Sequence, residues 1–236
     1  MKIRFFPAKE RGHVTWDWLD TYHSFSFGHF YDPDLMGFGL LRVVNDDTIA
    51  PGAGFGKHPH QNMEIITIPL TGGVEHTDNT GAHSITQAGS VQVMSAGKLV
   101  AHSEVNASKT EPLSLFQIWI EPNTLGIEPR YDEKEFHPEE QKGKWQLMVS
   151  NDAREGSLMI HQNAFISMGQ FKKDERLDYA LHDNENGVFV MAVEGRVKIA
   201  DQVLKRRDAL GLSENQSFSG EALEDAQIMA IEVPLE

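Results

Sequence analysis

Between Gly52 and Glu104 the chain turns back on itself every few residues, and this rhythm limits its folds more than any other feature. Met63-Glu64-Ile65-Ile66-Thr67-Ile68-Pro69-Leu70 is a β-rich run that stops at Thr71-Gly72-Gly73. Val74 to His76 is a second short run, ended by the turn Asp78-Asn79-Thr80-Gly81. A strand near Ser84 to Thr86 ends at Gln87-Ala88-Gly89, and Val91-Gln92-Val93-Met94 ends at Ser95-Ala96-Gly97-Lys98. Strands this short, joined by glycine turns, predict an all-β antiparallel barrel or sandwich with a few short helices.

Two ligand-type pairs bracket this region, His58-Pro59-His60 and His102-Ser103-Glu104. Successive side chains on a strand point to opposite faces, so each i, i+2 pair projects both groups from one face. Two such strands side by side bring three imidazoles and one carboxylate together, a donor set suited to transition metals rather than to calcium or magnesium. Spacing alone is weak support: 11 histidines in 236 residues give roughly 0.5 His-x-His matches by chance. His137-Pro138-Glu139 repeats the His-x-Glu spacing, but lies in the polar stretch Tyr131 to Gly143 and reads as a solvated loop. Pro59 lacks an N–H for the ladder, which predicts an edge strand or bulge at the ligands. Glycines 52, 54 and 56 let the preceding backbone bend and approach its neighbours. His13, His23, His29, His76, His83, His161 and His182 read as structural or surface histidines.

A faint repeat divides the chain. Glu64 to Gly72 parallels Val188 to Gly195, and Gln87 to Val93 parallels Arg207 to Leu212. A duplicated β-barrel is the simplest account, with 1–130 as the metal-bearing barrel and 131–236 as the second. Counting back from the glycines places Leu181-His182-Asp183 where the first half has His58-Pro59-His60, and the third histidine falls near Glu221, so the second barrel has no ligand set. The net charge of −14 excludes direct binding of nucleic acid, and Lys205-Arg206-Arg207 reads as a solvated turn. No apolar run approaches a membrane span, the first ten residues lack the apolar core of a signal peptide, and there is no cysteine. A cytoplasmic location is the expectation.

Gly52-x5-His58-x-His60-x3-Glu64 and Gly89-x5-Ser95-x-Gly97, followed by His102-x3-Asn106, are similar to the two motifs of the cupin superfamily. Ser95 in place of the usual proline, and two extra residues before the third histidine, are departures found in pirins. The stretches His23-Ser24-Phe25-Ser26-Phe27, Tyr31-Asp32-Pro33, Met36-Gly37-Phe38-Gly39, Asn45-Asp46-Asp47 and Gly54 to His60 also resemble the pirin family. The resemblance implies two tandem cupin barrels, with His58, His60, His102 and Glu104 as metal ligands. Ordinary cupins take their carboxylate from Glu64, which here is expected to lie behind the ligands because it is an even number of residues from His60.

The resemblance further implies one divalent transition metal, iron first, with Ni, Cu, Mn, Co or Zn also compatible. It implies a quercetin 2,3-dioxygenase-like activity, in which a flavonol is opened by O₂ with loss of carbon monoxide. Glu104 would take the 3-hydroxyl proton. Phe25, Phe27, Phe38, Phe55 and Met63 are the expected lining of an apolar substrate pocket. The alternative is a metal-bearing redox sensor that acts through a protein partner.

Overall fold

The computed structural model describes residues 1–236. In chain order the strands are β1 (Lys2–Phe6), β2 (Gly12–Thr15), β3 (Leu19–His23), β4 (Leu41–Ile49), β5 (Gly54–His60), β6 (Glu64–Thr71), β7 (Gly73–Asp78), β8 (His83–Gln87), β9 (Ser90–Ser95), β10 (Val100–Asn106) and β11 (Leu113–Ile120). They continue with β12 (Arg130–Glu135), β13 (Trp145–Ser150), β14 (Leu158–Met159), β15 (Phe165–Phe171), β16 (Arg176–Ala180), β17 (Gly187–Glu194), β18 (Val197–Ile199), β19 (Gln202–Leu204), β20 (Ala209–Ser213), β21 (Ser217–Ala222) and β22 (Ala226–Val233). The only helical pieces are 3₁₀ turns at Ala8–Glu10, Pro138–Gln141 and Arg154–Gly156.

Each half is a seven-stranded sheet facing a four-stranded one. In the first barrel the orders are β12-β9-β6-β11-β4-β3-β2 and β5-β10-β7-β8. In the second they are β1-β20-β17-β22-β15-β13-β14 and β16-β21-β18-β19. The repeat read in the sequence appears here as position: β6 and β17 hold the same place in their sheets, as do β9 and β20.

The outermost strands cross between the halves. β1 pairs with β20 (Phe5↔Leu210), although it lies at the start of the chain, and β12 pairs with β9 (Asp132↔Val93). A division at 130/131 therefore has to be corrected at both ends, because residues 2–6 complete the second barrel and 130–135 complete the first. β12 also corrects the solvated loop expected from Tyr131: its polar side chains face solvent or a hydrogen-bonded interior, and the ladder with β9 satisfies its backbone. His137 and Glu139 do lie outside any strand, exposed.

Alternation places two different cores on the two faces of the large sheets. One face of each packs against the other barrel, so Ile66, Ile68, Val93, Phe116 and Ile118 meet Ile166, Phe189, Met229 and Ile231 in a single cluster of 26 buried residues. Phe25 is wholly buried in that cluster, against Phe6 and Phe189, and so does not line a pocket. Phe38 packs on Phe189 and fills the space over Gly187 and Gly211, again away from the first barrel's interior. Arg207 departs from the solvated turn expected of it. It is 3% exposed, holds Asp46 of β4 at 2.7 Å together with Arg11 at 3.1 Å, and covers the Phe116 ring.

Candidate metal centre

The four-stranded sheet of the first barrel carries the ligand-type residues in adjacent register. β5 is its edge strand, as Pro59 requires, and pairs antiparallel with β10 so that His58 faces His102 and His60 faces Val100. β7 lies on the other side of β10, with Asp78 opposite His102 and His76 opposite Glu104. The β5–β10 register slips between His102 and Glu104, a bulge of the kind that re-aims side chains beside a site. Close approach of the two strands depends on Gly54, where a Cβ would run into the Glu104 carbonyl and the Val105 Cα.

His58, His60 and His102 converge: their ligand atoms lie within 4.8 Å of one another, and the ring centroids are 4.6–4.9 Å apart. Burial, reinforced by the neighbouring imidazoles, pushes His102 down to about 3 and His60 down to about 4. Both are thus neutral donors at neutral pH. His58 Nδ1 lies 2.7 Å from the Gly56 carbonyl, which can only accept, so this nitrogen carries the proton and Nε2 keeps its lone pair. His102 Nε2 is buried with no hydrogen-bond partner in the protein, which suits an atom that ligates a cation.

Glu104 is placed differently from the histidines. Its oxygens group with His76 and His102 within 4.8 Å rather than with His58 and His60, although it lines the same cavity as those two. Oε1 accepts from Thr67 at 3.1 Å and Gln92 at 2.6 Å, and Oε2 accepts from Gln117 alone, at 2.9 Å. The Gln117 amide is oriented by Trp119, whose indole N–H donates to its Oε1 at 3.1 Å. These partners belong to a polar row that crosses the facing sheet in register: His23, Asn45, Gln117, Thr67, Gln92 and Glu133 on β3, β4, β11, β6, β9 and β12.

Glu64 does not stand behind the ligands. It sits on the face of β6 opposite Thr67, 1% exposed, where it accepts from Ser95 at 2.7 Å and lies 3.7 Å from His161 Nδ1. Parity with His60 fails because β5 and β6 lie in different sheets, separated by a reversal at Asn62, whose φ is +48°. Glu64 and His161 instead tie the two barrels together.

A cavity of about 390 Å³ opens on the histidines, lined by Trp16, Trp18, Phe27, Phe55 and Trp119 beside Asn45, Asp47 and Gln117. Of the aromatic and methionine side chains expected to line a pocket, Phe27 and Phe55 are on this wall, while Met63 packs against Ile65, Met94, Ala96 and Val100 and is not part of the lining. The tryptophans were missed. Trp119 was legible from alternation in Leu113–Ile120, which puts Leu115, Gln117 and Trp119 on one face. Asp47 is 3% exposed in the cavity wall, and burial, together with the charges of Asp46 and Glu104, pushes it up to about 7 against the Thr21 hydroxyl that donates to it.

His76 was missed as well. It is fully buried, stacked 4.5 Å from Tyr131, with Nδ1 3.5 Å from His102 Nδ1 and Nε2 3.2 Å from Asp78 Oδ2. Burial alone would raise Asp78, but hydrogen bonds from Thr80, His76 and Ala82 outweigh it and hold the carboxylate below its usual range. The available signal was His76-Thr77-Asp78, a third His-x-acid pair at strand spacing. In the second barrel the corresponding interior is apolar, with Leu177, Val190, Leu210 and Phe218, and His182 is bound to the buried Glu232 at 3.3 Å.

Residues 5–120 match the family Pirin, and residues 147–233 match the family described as Quercetinase C-terminal cupin domain. The chain is 43% identical over 227 residues to quercetin 2,3-dioxygenase of Escherichia coli strain K12, covering 96% of each. It is 38% identical to a pirin-like protein of Caulobacter vibrioides, covering 96% of this chain and 97% of that one. The crystal structure of the bacterial pirin YhhW from Escherichia coli in complex with nickel(II) superposes with a TM-score of 0.93 at 42% identity, covering 99% of each chain. No helix is long and apolar enough to cross a membrane.

Proposed function

Because the chain belongs to the pirin family, we propose that it is a metal-dependent dioxygenase that opens a flavonol such as quercetin with O₂ and releases carbon monoxide. The observation that carries this reading is the convergence of three imidazoles, two of which line an aromatic-walled cavity. His58, His60, His102 and Glu104 would hold the metal. Iron fits this nitrogen-rich set, and so does nickel, which the Escherichia coli relative binds. A divalent transition metal held by these residues would supply Lewis acidity and redox chemistry for a flavonol and O₂.

The protein's own groups do the rest. Trp119 and Phe27, with ring centroids 5.3 Å apart, and the Trp18–Phe55 pair form apolar walls for a flat ring system and keep water from it. The cavity lies within the range of about 300 to 1,000 Å³ that suits small-molecule ligands. Thr67 and Gln92 hold Glu104 Oε1 in place, and Oε2 has only Gln117 as a donor, so its one remaining lone pair would ligate the metal or, once released from it, accept the 3-hydroxyl proton.

The test is to supply quercetin and O₂ to the metal-loaded protein and follow loss of the long-wavelength absorbance. Glu104→Gln should lower kcat by about 100-fold or more, as expected for loss of a positioned base. His60→Ala should remove both metal and turnover. Equal rates in all three proteins would refute the catalytic assignment.

A further inference from the structure

Each imidazole of the site must present a lone pair, not an N–H, to a cation, so the tautomer of each ring decides whether it can ligate. For His58 the Gly56 carbonyl settles this. His102 is buried and has no backbone partner of that kind; its Nδ1 meets only His76 Nδ1, at 3.5 Å. Two ring nitrogens face each other there, and one of them has to donate.

Asp78 determines which. Its Oδ1 accepts from the Thr80 N–H, the Thr80 hydroxyl and the Ala82 N–H, and its Oδ2 lies 3.2 Å from His76 Nε2. An ionised carboxylate only accepts, so His76 Nε2 carries the ring's proton and Nδ1 is its lone pair. The hydrogen between the rings then belongs to His102 Nδ1. That leaves His102 Nε2, the buried atom without a partner, as a lone pair. Rotation of His76 is blocked by its stack on Tyr131, whose hydroxyl is held by Ser84 and Glu133 at 2.6 and 2.9 Å.

We propose that Asp78 and His76 are positioning residues, which pass a fixed donor order through two rings and hold His102 in the tautomer that can ligate a metal. This rests on the reading of His102 as a ligand. It assigns His76 no metal of its own, although His76, His102 and Glu104 lie within ligand distance of one another, because both ring nitrogens of His76 are already engaged.

Ring nitrogens of the ¹⁵N-labelled, metal-free full-length protein report the tautomers directly by long-range ¹H–¹⁵N correlation. The expected result is His102 protonated on Nδ1 and His76 on Nε2. In Asp78→Asn the amide oxygen can still serve Thr80 and Ala82, while its NH₂ faces His76 Nε2 and reverses the donor order, so His102 should become protonated on Nε2. Nickel affinity, measured by competition with a chelator, should fall about 10- to 100-fold in that variant and in His76→Phe, which keeps the stack on Tyr131. An Nε2–H tautomer of His102 in the wild type, coordination shifts at His76 on adding Zn²⁺, or wild-type nickel affinity in both variants would each overturn the proposal. His102→Ala tests the ligand assignment separately: undiminished nickel binding there would remove His102 from the site whatever its tautomer.

Discussion

Asp47 offers a test of the cavity wall that needs neither metal nor substrate. Its carboxyl rises from 3.8 to about 7 because it is buried beside Asp46 and Glu104. The folded state therefore binds the proton more tightly than the unfolded chain, and the stability this gives is lost as pH rises from about 4 through 7. Each pH unit crossed in that window is worth roughly 1.4 kcal/mol, so moving the metal-free protein from about pH 5 to pH 8 should cost between about 2 and 3 kcal/mol through this one group. For a chain of this size that is a fall in Tm of roughly 5 to 10 °C. Asp47→Asn keeps an oxygen for the Thr21 hydroxyl and removes the titration. Other titrating groups, including the buried histidines, act in both proteins and cancel in the comparison. Thermal unfolding of wild type and variant from pH 5 to 8 should show the variant gaining on the wild type as pH increases. Parallel curves would refute the burial assigned to Asp47, and with it the closed wall of the cavity.

Two further predictions concern the junction of the barrels. Asp46→Ala leaves the buried Arg11 guanidinium without a carboxylate and Arg207 with only Glu194, 3.5 Å away, and should destabilise the protein by about 3 kcal/mol, read as a lower urea midpoint; an unchanged midpoint would show that the ion cluster is not holding the halves together. Deleting residues 1–6 should expose the outer edge of β20 and speed hydrogen exchange at Ala209–Ser213, while the amides of β9, protected by β12, stay slow. Equal protection of β20 with and without the deletion would contradict its pairing with β1.

The strand rhythm and the i, i+2 pairs were legible because both follow from a period of two, which local sequence carries. His58, His60 and His102 needed only that period and adjacency of their strands. Glu64 was misplaced by the same rule, since parity holds along one strand and does not survive the reversal at Asn62 into another sheet. Phe25 and Phe38 illustrate a second limit. Composition marks an aromatic as buried, but whether it faces the cavity or the neighbouring barrel depends on how two sheets stack, which is a property of residues more than a hundred positions apart. The exchange of β1 and β12 between the barrels is non-local in the same sense.

The two barrels share an architecture and differ in what they enclose, and the difference shows what the site demands of the fold. Val190 of the second barrel pairs with Leu210 and Ala230, three apolar residues that pack directly. Thr67, which holds the same strand position in the first barrel, pairs with Gln92 and Gln117, and all three turn their polar groups on Glu104. Burying an unpaired carboxylate costs several kcal/mol, so Glu104 is tolerable only where the facing sheet supplies donors for it. A site on the small sheet therefore requires a matching polar row on the large one. The second barrel has neither, and its hydrophobic interior gains the packing that the first barrel gives up. The isolated Thr67, Gln92 and Gln117 within otherwise apolar strands are the local inconsistencies expected where function overrides packing. They support the proposal that the first barrel carries the site, independently of its histidines.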